Sequence, residues 1–112
     1  MPSSANTESP LPSEPSLGDL IAELLDETPG VRLSATREYA TNGVPFAHRT
    51  GEETIDLRLG PEIGEAALRT PGTQPSSRGP DWISFVPATW DEMAADRLRD
   101  WFRVAWKLAG IR

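Results

Sequence analysis

Cysteine is missing from all 112 residues, which excludes disulfides, thiolate-held zinc and a cysteine nucleophile. Histidine occurs once, as His48, so any imidazole chemistry rests on that residue. No apolar run approaches the roughly 18 residues that read as a membrane span, and the first residues lack the basic-then-apolar order of a secretion signal. The expected location is cytoplasmic. A cluster of Lys and Arg is also lacking. Residues 16–88 hold eleven acids against six arginines and residues 89–112 four acids against five bases, within a net charge of −6. Binding to a phosphate backbone draws on clustered bases, so this balance speaks against nucleic acid, while it suits solubility. Glycine-rich phosphate loops, zinc-ligand spacings and nucleophile elbows do not occur. No metal and no cofactor are expected.

What the chain does contain is a series of short elements. "MPSSANTESPLPSEP", residues 1–15, has four prolines, four serines and little that is apolar, and is expected to be a disordered tail. Residues 16–112 are enough for a single α+β domain. In "SLGDLIAELLDETPG", Ser16 is placed to cap a helix, with Asp19 at its third position. Leu17, Leu20, Ile21, Leu24 and Leu25 then share one face, and Thr28-Pro29-Gly30 stops the helix. Its outer face, Asp19, Glu23, Asp26 and Glu27, reads as solvated. Strand-like runs follow at 31–41, 44–49 and 54–59.

Asn42-Gly43 is a strong hairpin signal, because both residues tolerate positive φ, and Gly51-Glu52 suits a second two-residue turn. Two such turns define a register. Tyr39, Phe46 and Leu57 align, as do Arg37, His48 and Ile55. Glu38, Ala47 and Asp56 occupy the other face with Arg58 beside them. One face is apolar and one polar, as a sheet covered on one side requires. His48 then lies on the apolar face as a structural hairpin residue. Asp56 is turned away from it, leaving Glu53 as the acid within reach.

"GPEIGEAALRTPG" predicts a short helix with Pro61 in its first turn. "TQPSSRGPD" reads as a polar connecting loop, where Ser76, Ser77 and Arg78 suit an anion. "DWISFVP" is a fourth strand, with Trp82 and Val86 facing one way and Ile83 and Phe85 the other. Thr89 and Glu92 form a capping box for a long final helix. Its apolar stripe is Met93, Ala94, Leu98, Trp101, Phe102, Ala105, Leu108 and Ala109. Trp90, Trp101 and Trp106 exceed what so small a core buries, which makes Trp90 or Trp106 a candidate surface anchor. The expected core is Leu20, Ile21, Leu24, Leu25, Val31, Leu33, Tyr39, Phe46, Ile55, Leu57, Phe85, Leu98, Trp101, Phe102 and Ala105, with Ile83 or Trp82.

The predicted fold is therefore α+β: a helix, a three-stranded antiparallel meander, a short helix, a fourth strand and a long C-terminal helix, the helices packed on one sheet face. "ETPGV", "TNGVPFAHR", "ETIDLRL", "PDWISF" and the final amphipathic helix, spanning about residues 17 to 109, resemble the luciferase domain family of small bacterial proteins, whose function is uncharacterised. The layout also resembles the MmcQ/YjbR-like proteins, an α+β fold discussed as a double-wing DNA-binding module. The first resemblance carries no catalytic residue. It places an acid at Asp56 and a tryptophan at Trp82. A histidine carried by many such domains shortly before the tryptophan strand is missing from "GTQPSSRGPDW".

These readings favour a non-catalytic binding or interaction module, whose partner is a protein or a small ligand. Its candidate surface comprises Glu38, His48, Arg49, Asp56, Arg58, Arg78, Trp82, Trp90 and Trp106. The alternatives are a nucleic-acid-binding module, by fold analogy alone, and a small enzyme using His48 or the pair Glu38 and Asp56.

Overall fold

A computed structural model describes residues 16–111. The expected tail, 1–15, lies outside the described residues. Ser16 caps the first helix as its spacing predicts, its hydroxyl accepting from the Asp19 N–H at 3.1 Å. Helix α1 (Leu17–Glu27) ends at Thr28, whose buried hydroxyl donates back to the Leu24 carbonyl at 2.9 Å. After it come β1 (Val31–Leu33), β2 (Glu38–Thr41), β3 (Val44–Arg49), β4 (Ile55–Arg58), α2 (Gly60–Ala67), β5 (Thr73–Pro75), β6 (Trp82–Phe85) and α3 (Glu92–Gly110). The strands form one antiparallel sheet in the order β1-β2-β3-β4-β6-β5. This is an α+β fold.

Two strands were not expected. The run 31–41 is a hairpin rather than one strand. The Ser34 hydroxyl accepts from the N–H groups of Thr36 and Glu38, both at 3.2 Å, and so folds the chain into a turn. The predicted loop after α2 contains β5, whose Pro75 is tolerated because the strand lies at the sheet edge.

Long helix α3 packs across β2, β3 and β4, α1 packs on α3, and α2 packs on β6. All three helices thus cover one face. The core between the layers contains Phe46, Phe85, Phe102, Leu57 and Leu98, each fully buried. Phe102 meets Phe46 edge-on at 5.2 Å and Tyr39 at 6.2 Å. Burying a side chain of this size contributes about 1.5–3 kcal/mol.

Some positions of the expected core and of the expected helix stripe differ. Leu33 is exposed on the edge strand β1, and Met93 and Leu108 lie at the exposed margins of the α3 stripe. Leu25, Val31 and Trp101 are partly buried against the core. The cap of α3 is Asp91, which accepts from the Ala94 N–H at 2.9 Å, and not Thr89. The acidic face of α1 is not wholly solvated either. Glu23 pairs with Arg99 at 3.0 Å and Glu27 with Arg103 at 2.7 Å, tying α1 to α3. The Glu23 carboxylate raises the Arg99 pKa above its ordinary value. Exposed pairs of this kind contribute little to stability each. No helix among the described residues is long and apolar enough to cross a membrane.

Candidate functional site

On the face away from the helices, the strands carry a cross-strand row of polar residues. Glu38 pairs with His48, His48 with Asp56, Asp56 with Ser84, and Ser84 with Gln74. Directly paired residues point to the same side, so five strands supply one residue each.

His48 reaches this row through a bulge. Thr41 pairs with Val44 and Ala40 with Pro45, but Tyr39 then pairs with Ala47, and Phe46 is the extra residue. Phe46 and Ala47 are both fully buried. Beyond them, inside and outside are exchanged relative to the expected register. The next turn compensates. Thr50 donates its N–H to the Thr54 carbonyl at 3.1 Å, closing a three-residue loop, 51–53, in place of the predicted two-residue one. Tyr39, Ala47 and Leu57 consequently share a row, and only the far half of β3 has shifted. His48 is on the polar face, opposite Asp56, not on the apolar face beside Ile55. Arg49 takes the inward position instead.

The loop 76–81 leaves edge strand β5 and returns over this row. Asp56, only 4% exposed, accepts hydrogen bonds from the hydroxyls of Ser76, at 3.0 Å, and Ser84. Burying a carboxylate is costly unless it is hydrogen-bonded, and these two hydroxyls supply that compensation. Ser76 organises the loop in turn. Its hydroxyl accepts from the Arg78 N–H at 3.0 Å. Its carbonyl accepts from Gly79, whose φ of +131° is a conformation open to glycine. The Arg78 guanidinium then reaches back to Glu38, 2.5 Å away on β2, and lies 4.8 Å from the Trp82 ring centroid. Trp82 is 9% exposed although it stands outside the apolar core. Nearby, Arg58 lies 3.8 Å from Asp81.

His48 Nε2 is 3.1 Å from the Thr36 carbonyl oxygen. A carbonyl only accepts, so Nε2 carries the hydrogen. The other ring nitrogen, Nδ1, is covered and has no hydrogen-bond partner among the described residues. The hydroxyls of Ser84 in the row and Ser76 in the loop both donate to Asp56, and neither is placed as a nucleophile on His48. Among the described residues, no three His, Asp or Glu side chains gather as a metal-binding group.

Of the nine candidate residues, Glu38, His48, Asp56, Arg58, Arg78 and Trp82 share this face. Arg49 does not: its guanidinium donates to the Glu52 carbonyl at 3.0 Å and lies near Gly18 in α1. Trp90 is no surface anchor. It is 5% exposed, donates its indole N–H to the Glu53 carbonyl at 3.1 Å and packs edge-on against Phe85. Trp106 is half-buried on the helix side, where it lines a groove of about 570 Å³ with Pro29, Asn42, Lys107 and Ile111. Ser84 and Thr36 escaped the sequence reading. The alternation in "DWISF" does place Ser84 on the side of Trp82; nothing local marks Thr36 as the partner of His48.

No protein-family model matches the chain, and no curated protein or solved structure matches it. The polar face itself is the ground for a functional reading.

Proposed function

We propose that the chain is a small, non-catalytic binding module whose ligand surface is the polar sheet face beneath loop 76–81. The observation that carries this reading is Asp56. A buried acid on the face away from the core adds nothing to core packing, yet through the Ser76 hydroxyl it holds a loop over the sheet, with Ser84 of the neighbouring strand as its second donor. Loops positioned by a rigid scaffold are where binding groups concentrate. The chemistry on offer is recognition. Glu38 is engaged by Arg78 and Asp56 by the serines, so neither carboxylate is free to serve His48 as an acid–base partner. Asp56 and Trp82, the positions that the luciferase-domain resemblance singles out, both lie on this face, which supports its choice.

Chemical-shift mapping of the ¹⁵N-labelled chain against a mixed library of polar fragments and short peptides tests the reading. Shifts are expected to cluster at His48, Asp56, Arg78, Ser84 and the Trp82 indole. Shifts confined to the groove around Trp106, or no shifts at all, contradict it.

A further inference from the structure

We infer that Glu38 and Trp82 form a cation-recognition site that Arg78 occupies in cis, and that an arginine-bearing peptide segment of a basic partner is the ligand that displaces it. The inference rests on the reading of the polar face as a binding surface and names the chemistry of its ligand.

A carboxylate beside an aromatic face is the arrangement that recognises a guanidinium, through a charge-assisted hydrogen bond and cation–π attraction. Here that arrangement is complete, with Glu38 Oε2 at 2.5 Å and the Trp82 centroid at 4.8 Å. The recognising groups stand on different strands, β2 and β6, while the occupant comes from a loop. They stay in place if the occupant leaves.

The Arg78 side chain is also dispensable to the loop. Ser76 anchors the loop to Asp56, and the Arg78 and Gly79 N–H groups bond to Ser76, so backbone and serine contacts set its path. Removing the guanidinium leaves Glu38 without its counter-charge and uncovers the Trp82 ring. The net charge of −6 favours approach of a basic partner.

Arg78 is tethered two residues from its anchor, so its local concentration at the site is high. An incoming arginine must outcompete it, and the native chain therefore binds more weakly than the open site would. The Arg78→Ala variant is expected to bind an acetylated Gly-Arg-Gly amide about tenfold more tightly than the native chain, the scale of one exposed cation contact. Titration is followed on the Glu38 amide and the Trp82 indole of the full chain. Arg78→Gln, which keeps a long polar side chain, is expected to behave alike, and preserved spectral dispersion shows that both variants fold. The citrulline peptide, neutral and of similar shape, is expected not to bind, and Glu38→Gln added to Arg78→Ala is expected to abolish the gain. Equal affinity of native chain and Arg78→Ala overturns the inference, as does a gain that survives Glu38→Gln, or no binding by any variant. In each of these cases, library shifts on the polar face of the native chain would still uphold the binding module.

Discussion

Phe46→Ala is expected to lower the unfolding free energy by about 3–5 kcal/mol in a denaturant melt, the range for emptying a buried aromatic site. Phe46 is fully buried and packs edge-on against Phe102 at 5.2 Å. It is also the extra residue of the β3 bulge, between the pairs Ala40–Pro45 and Tyr39–Ala47. Truncation therefore removes the contact that makes the bulge worth forming. Without it, β3 has less reason to keep Ala47 inward and His48 outward. A loss below about 1 kcal/mol, the ordinary size for point changes, would show that Phe46 does not anchor the strand.

Asp56→Ala is expected to cost about 2–3 kcal/mol, because hydrogen bonds to a charged acceptor contribute about 1.5–3 kcal/mol and their donors are left unmatched. Ser76 and Ser84 both lose their acceptor. The loop should loosen with it, since the Arg78 N–H bonds to the same Ser76 hydroxyl. Faster amide hydrogen exchange at Arg78 and Gly79 is the second readout. Asp56→Asn keeps one acceptor oxygen and should cost less. Stability within error of the native chain, with unchanged exchange in the loop, would show that Asp56 does not hold the roof.

Where local geometry decides an element, the sequence was legible. Asn42 and Gly43 adopt φ of 54° and 77°, as their turn requires, and Thr41 pairs with Val44 across it. The cap at Ser16 and the stop at Pro29 are equally local. The bulge is not. Phe46 and Ala47 are both apolar, and alanine fits either face, so alternation alone cannot choose between the registers. Phe102, far along the chain, settles the matter. The turn at 34–37 was hidden for another reason: Arg37 takes a positive φ of 66° with no glycine to signal it.

The site was legible in part. Glu38, Asp56 and Arg58 fall on the polar face in either register, because the shift is confined to β3. The roof was out of reach. Ser76 meets Asp56, and Arg78 meets Glu38, only because β5 adds to the far edge of the sheet and the loop turns back across it. Three residues with a proline gave β5 too little pattern to be read as a strand. Between Trp90 and Trp106 the sequence leaves the choice open, and the cap at Asp91 decides it by leaving Trp90 ahead of the helix and free to enter the core.

The placement of His48 on the roofed polar face is tested most directly by inter-strand NOEs in the isotope-labelled chain. Contacts pairing His48 with Asp56 on one side and Glu38 on the other, together with contacts from the Arg78 side chain to the Trp82 indole, are the expected result. Backbone contacts pairing His48 with Ile55 and Arg37 would contradict it, because that regular register returns His48 to the apolar face and dissolves the row on which the binding surface is built.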